Sequence, residues 1–388
     1  MDLNDYFDPV SLDKPLIEIY PPEVLISRQI QVHTPDQPVK SLDNFSVALL
    51  GVPEDRNAAN KGCAGAPDHI REAFYQLVRF PRKLHMVDLG NLKKGNTITD
   101  TYFGLTDVLT ELLSRKITPV ILGGSQDLTL AAFRAVKKQS VQVNLVAVDA
   151  RPDLITAGDD HTLSFGYLRN IIRERGKNLF NITCIGHQQY YTDRALTDYL
   201  EKHRFDAVRL GQARENLREL EPIMRDANLV SMDVSAVRSA DAPGYFMPSP
   251  NGFYGEEICQ LARYAGLSGN TRIFGLFEMN PVHDRNSQTA ILYAQTLWYF
   301  LEGLSQKIVE DPLKRNRNIK QYMVQTGELD HELVFYQSLL TNRWWLEVPV
   351  KDAGDEHSMV LSCSHEDYIQ ACNQVITDRV WRIYRKLI

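Results

Sequence analysis

Residues 144–153 read NLVAVDARPD, an apolar run that delivers two carboxylates and an arginine at its carboxyl end. Leu145, Val146, Ala147 and Val148 follow one another without polar alternation. That pattern predicts a parallel strand covered on both faces by helices. Open sheets of this kind place their ligand chemistry just beyond the carboxyl ends of the strands, which is where Asp149, Arg151 and Asp153 fall.

Working outward, FSVALLGVP (45–53), LHMVDLGN (84–91), residues 119–122 of ITPVILGGSQDLTLAAFRAV, FNITCIGHQQY (180–190), DAVRLGQ (206–212), NLVSMDVSAV (228–237) and TRIFGLFEMNP (271–281) read as further strands. Stretches of helical period separate them. Pro67 opens one that carries Ile70, Phe74 and Leu77; residues 101–115 carry Leu105, Val108, Leu109 and Leu112. Others begin near Asp127, span about 194–203, begin near Glu256, and follow Pro281 with Ala290, Leu292 and Leu297. This alternation predicts a three-layer α/β/α fold with a mostly parallel sheet.

The flanks differ in texture. Residues 1–44 are punctuated by Pro9, Pro15, Pro21, Pro22, Pro35 and Pro38, which predicts an irregular arm with at most a strand or a turn. Residues 45–308 form the expected α/β domain, and 309–388 a C-terminal extension. In that extension VFYQSLLTNRWWLEVP supplies aromatic mass for packing or a subunit contact. Ile369, Cys372, Ile376, Val380, Ile383 and Leu387, behind a Ser364/Asp367 capping box, predict a closing amphipathic helix.

The 388 residues carry a formal net charge of −6 with no dense basic run, which argues against general affinity for nucleic acid. Five cysteines without a CxxC pair make a poor disulfide framework, so a reducing, cytoplasmic setting is expected. No segment approaches the apolar length of a membrane span, so no membrane is expected among the partners.

Asp149 and Asp153 end one predicted strand, and Asp233, in SMDVS, ends another. Hard divalent ions take such oxygen ligands, joined by imidazoles in manganese-type sites. Each aspartate is equally explained as an acceptor of backbone N–H groups at a strand-to-helix turn. GGSQDLT has the glycines to cradle an anion but lacks a phosphate-loop lysine. The histidines form no HExxH spacing, and no serine lies in GxSxG.

Taken together, KGCAGAPDHIREAFYQL (61–77), VDLGN (87–91), ILGGSQDLT (121–129), VDARPDL (148–154), SMDVSAVRSADAPG (231–244) and EMNPVHDRNSQTA (278–290) give the chain a resemblance to the ureohydrolase family of arginase, agmatinase and formimidoylglutamase, with formimidoylglutamase the nearest in flavour. The resemblance implies the α/β/α fold and a paired manganese site that activates a hydroxide against a guanidinium or formimino carbon. Family ligands come from GGDH, DxHxD and SxDxD patterns. On those patterns Asp149, Asp153 and Asp233 match carboxylate ligands. Gln126 and Arg151 stand where imidazoles belong, Ser235 replaces the last aspartate, and Ser125 replaces the aspartate of GGDH.

The resemblance therefore implies a protein that has lost its manganese pair and catalysis, with a structural, binding or regulatory role and no cofactor. Arg151 is expected to lie among the carboxylates as a built-in cation. The alternative is a hydrolase of a guanidino or formimino C–N bond using a residual manganese site, with His161, Asp159 or Asp160 completing the ligands. Glu278 matches the family glutamate near the substrate and is the candidate for a small guanidino or formimino ligand. A homo-oligomer is expected, since family members assemble as trimers or hexamers.

Overall fold

The computed structural model describes residues 3–11, 20–139, 142–154, 164–176, 178–314, 317–327, 332–352 and 355–387. A short helix, α1 (Leu3–Tyr6), leads into β1 (Phe7–Asp8) and β2 (Ile30–Val32). The alternating series then runs β3 (Val47–Val52), α2 (Ala66–Phe74), β4 (Met86–Leu92), α3 (Ile98–Ser114), β5 (Thr118–Gly123), α4 (Thr129–Gln139), β6 (Val143–Val148), α5 (Tyr167–Glu174) and β7 (Leu179–His187). It continues with α6 (Arg194–Lys202), β8 (Asp206–Arg209), α7 (Leu210–Glu215), α8 (Glu221–Asp226), β9 (Leu229–Asp233), α9 (Gly255–Leu267), β10 (Ile273–Phe277) and α10 (Gln288–Gln306).

The ten-stranded sheet has the order β1-β4-β3-β5-β10-β9-β6-β7-β8, with β2 also on β4. From β4 to β8 every pairing is parallel. Strand side chains alternate between two cores. Val47 and Leu49 of β3 join Ile70 and Phe74 of α2 and Phe300 of α10 on one face, whereas Ala48, Leu50 and Val52 join Leu105 and Leu109 of α3 on the other. The N-terminal arm is more regular than its prolines imply, because β1 runs antiparallel to β4 and β2 runs parallel to it, capping that sheet edge.

The extension holds a separate antiparallel sheet in the order β11 (Ile319–Val324), β12 (Leu333–Ser338), β13 (Trp344–Asp352), β14 (Asp355–Cys363). Its core of Phe335, Trp344, Leu346 and Leu361 is covered by Ile376, Val380 and Ile383. The closing amphipathic pattern forms two helices rather than one, α11 (His365–Cys372) and α12 (Asp378–Leu387). Ser364 and Asp367 do make the capping box. The break follows because Gln374 takes φ +66°, a left-handed conformation that ends α11, and the turn lets Ile376 and Val380 reach the same core.

This module sits at the amino ends of the central strands. Arg225 of α8 is buried; its Nη2 donates to the carbonyls of Trp344 and Cys363 at 3.0 and 3.2 Å, and its guanidinium lies 4.8 Å from the Trp345 ring. Arg343 bridges to Glu221 at 3.4 Å, and Arg382 to Asp206 at 2.6 Å.

Candidate functional site

The strand order puts β5, β10, β9 and β6 side by side, so their carboxyl ends open onto one place. Val148 pairs with Met232, which sets Asp149, one residue on, beside Asp233. Phe277 pairs with Asp233, which brings Glu278 to the same end. After β5 the chain turns at Gly123 and Gly124, where a Cβ on Gly124 would collide with the Glu54 carbonyl, and carries Gln126 over the sheet.

Asp149, Asp153 and Asp233 converge, each offering a carboxylate oxygen within 4.8 Å of the others. Gln126 fills the point of convergence. With its amide nitrogen toward the acids, it donates to Asp149 Oδ2 at 3.0 Å, Asp153 Oδ2 at 3.2 Å and Asp233 Oδ2 at 3.1 Å, while its oxygen accepts from Ser231 Oγ at 3.2 Å. The hydrogen-bond pattern assigns this orientation. Turned the other way, the amide oxygen would face carboxylate oxygens and require a cation or a shared proton between them.

The surrounding groups lock the arrangement. Ser235 donates its hydroxyl to Asp149 Oδ1 at 3.0 Å and its N–H to Asp233 Oδ1 at 2.6 Å. Glu278 accepts the Gln126 N–H at 3.0 Å, and its own carbonyl accepts from Asn60 at 2.7 Å. Glu278 has φ +62°, a conformation costly for a residue with a Cβ and maintained by these bonds. Gln126 has no exposed surface, and Asp149, Asp153, Asp233 and Glu278 are each 5% exposed or less.

Burial governs the electrostatics. It raises the Asp149 carboxyl to about 6, against the opposing pull of the Arg151 N–H and the Ser235 hydroxyl. Asp153 and Asp233 are pushed well above the usual carboxylate range, first by burial and then by the Asp149 charge. Glu278 rises to about 8, again mainly through burial. Burial without a compensating cation thus disfavours the charged forms of these carboxyls.

Arg151 departs from expectation. Its backbone N–H donates to Asp149 Oδ1 at 2.9 Å, but its guanidinium lies 4.1 Å from the Tyr191 ring, with Nη1 3.4 Å from the Tyr245 hydroxyl. Among the described residues it makes no ion pair with Asp149, Asp153 or Asp233. The physical reason is competition for one small space: the Gln126 amide already stands among the acids and shares its two N–H groups between them. Stacked on Tyr191, the half-buried guanidinium keeps part of its hydration. His161, Asp159 and Asp160 lie outside the described residues.

Sequence reasoning missed Ser231, Asn60, Tyr191 and Tyr245. Ser231 was within reach, because it stands two residues before Asp233 and so shares its face of β9. The others come from loops whose approach only the fold defines.

The residues present do not fit a manganese pair. The convergent donors are carboxylates, no imidazole among the described residues joins them, and the space between them is taken by an amide. The metal-coordinating set is incomplete.

Residues 45–302 match the model of the arginase family. The chain belongs to the arginase family. It is 26% identical over 280 residues to a formimidoylglutamase of Staphylococcus aureus (strain MRSA252), covering 68% of this chain and 88% of that one. Among solved structures, formimidoylglutamase from Bacillus subtilis subsp. subtilis str. 168 superposes with a TM-score of 0.68 at 20% identity, over 76% of this chain and 97% of its own. Trypanosoma cruzi formiminoglutamase solved with Mn2+ gives 0.64 at 19% identity, over 70% and 97% of the two chains. Proclavaminate amidino hydrolase from Streptomyces clavuligerus gives 0.60 at 24% identity, over 67% and 92%. These likenesses extend the arginase-like architecture to this chain. No helix among the described residues is long and apolar enough to cross a membrane.

Proposed function

We propose that this arginase-family protein is a non-catalytic member in which the former metal centre serves as an internal structural joint, leaving the chain a structural, binding or regulatory role. The observation that carries this reading is the Gln126 amide bonded to Asp149, Asp153 and Asp233. A side chain of the protein occupies the volume that activated water and its metals would need. Glu278 is committed to the Gln126 N–H, which counts against it as an acceptor for a guanidino or formimino ligand.

The second reading is a hydrolase of a guanidino or formimino C–N bond with one residual ion. It draws support from the same three carboxylates, whose spacing suits a single hard cation if the amide turns its oxygen inward. Dialysis against manganese followed by metal analysis separates the two. We expect well under one manganese per chain and no manganese-dependent release of urea or formamide. Stoichiometric metal with turnover would establish the hydrolase. In the combined variant Gln126→His, Arg151→His and Ser235→Asp, manganese binding should appear, identifying Asp149, Asp153 and Asp233 as residual ligands.

This reading includes a homo-oligomer, checked by light scattering on the eluted protein, and a reducing, cytoplasmic setting. The setting is supported by the five cysteines, all free thiols and four of them buried.

A further inference from the structure

The surface where the extension meets the α/β domain carries aliphatic side chains that the fold does not bury. Val309 is 76% exposed, Leu340 62%, Leu339 51%, Leu313 47% and Ile308 45%. Two neighbouring segments supply them: the chain leaving α10, and the tight turn between β12 and β13.

Hydrogen bonds fasten these segments into one surface. Glu310 accepts from Ser338 and, at 2.6 Å, from Thr341 Oγ1, while Arg343 Nη1 donates to the Ile308 carbonyl at 3.3 Å. Leu339 N–H donates to the Asn318 carbonyl at 2.8 Å, so Arg317 lies beside the turn that carries Leu340.

Exposed cations border these aliphatics: Lys307, Lys314, Arg317 and Lys320. Of the nearby acids, Glu310 is drawn to Ser338 and Thr341, and Asp311 pairs with Lys314 at 3.2 Å. In a chain of net charge −6, this is a local reversal of sign.

We infer that this surface docks onto an anionic lipid surface, with Leu339, Leu340 and Val309 entering the interface and Lys307, Lys314, Arg317 and Lys320 facing the headgroups. Charge complementarity selects an acidic counterpart. A second copy in a two-fold arrangement would set these like charges against one another. The projecting turn bears aliphatic rather than aromatic anchors, so it offers little for a protein pocket to grip. A fluid interface takes single projecting leucines without a matching groove. The sequence expectation of no membrane among the partners rested on the lack of a spanning segment, and a docked surface needs none.

The full-length protein should co-sediment with vesicles of phosphatidylcholine containing phosphatidylglycerol, and much less with phosphatidylcholine alone. Raised salt should weaken the binding. Removing two cations, in Lys314→Gln with Arg317→Gln, should lower the partition coefficient about thirtyfold, at about 1 kcal/mol per cation near a charged surface. Leu339→Ser with Leu340→Ser should lower binding even at low salt. These side chains are exposed, so the variants should keep the parent unfolding midpoint, which shows that any loss is not unfolding.

Equal binding to both vesicle types, or none to the anionic ones, overturns the inference. Concentration-dependent self-association abolished by the leucine changes, without vesicle binding, assigns the surface to a second copy and also overturns it.

Discussion

The two ends of the parallel sheet solve the same problem, buried charge, by opposite means. At the amino ends, where the extension docks, charges meet partners of opposite sign or backbone carbonyls, as Arg382 meets Asp206 and Arg225 meets Trp344 and Cys363. At the carboxyl ends, carboxylates converge with no opposing side-chain charge among them in the described residues; a neutral amide lies between them, and burial disfavours their charged forms. The second arrangement lies within the stretch that matches the family model, where three carboxylates converge without a complete metal-coordinating set. The first belongs to the extension, beyond the stretch that matches the family model.

The largest effect should come from the docked end. Arg225→Ala would strand the Trp344 and Cys363 carbonyls and leave a cavity beside Trp345, costing about 3 kcal/mol in denaturant unfolding. Arg225→Met should cost much less, because burial already lowers the pKa of this arginine and a methionine restores volume without a charge to desolvate. Equal losses in both variants would mean that the guanidinium itself holds the module.

At the carboxyl end, Gln126→Ala should cost about 2 kcal/mol, since the acids lose their shared donor and a small void opens. An unchanged midpoint would show that the amide does not bind the cluster together.

Lys386 offers a pH contrast between the ends. Its ammonium lies 2.6 Å from Asn181 Oδ1 and against the Phe180 and Phe205 rings, and burial lowers its pKa from 10.5 to about 8. Between those values the unfolded chain binds the proton more readily than the folded one, so this group makes stability rise with pH from about 8 to 10.5. Allowing for its residual exposure, the gain is about 1 kcal/mol. Urea unfolding at about pH 7.5 and about pH 10, close to the two ends of that window, should show a shallower rise in Lys386→Met.

Arg151→Ala should have the smallest effect, about 0.5 kcal/mol, because its guanidinium stacks on Tyr191 outside the acid cluster. A loss of about 3 kcal/mol or more would restore it to the role of internal cation.

Much of this architecture was legible in the residues. Apolar runs such as 144–148 declare strands buried on both faces, and the motifs at their ends identify Asp149, Asp153 and Asp233 as neighbours before any coordinates. The direction of Arg151 was not legible. Alternation along an extended chain points residues 149, 151 and 153 one way, but a long side chain chooses its resting place by competition, and the competitor, Gln126, arrives from another strand. The antiparallel sheet of the extension was hidden for a different reason. The stretch 319–324 is interrupted by Lys320 and Gln321, and its burial pattern gives little of the alternation by which an edge strand announces itself.

The glutamine at the centre of the acids also sets the terms on which the old chemistry could return. Positions 126, 151 and 235 follow three different strands, and on the proposed reading a manganese pair becomes bindable only when donors from all of them are in place. Any first step that removes the amide gives up its hydrogen bonds before an ion is there to replace them. The amide-filled arrangement is thereby protected against piecemeal reversal, and on the proposed reading a metal centre returns only by concerted substitution.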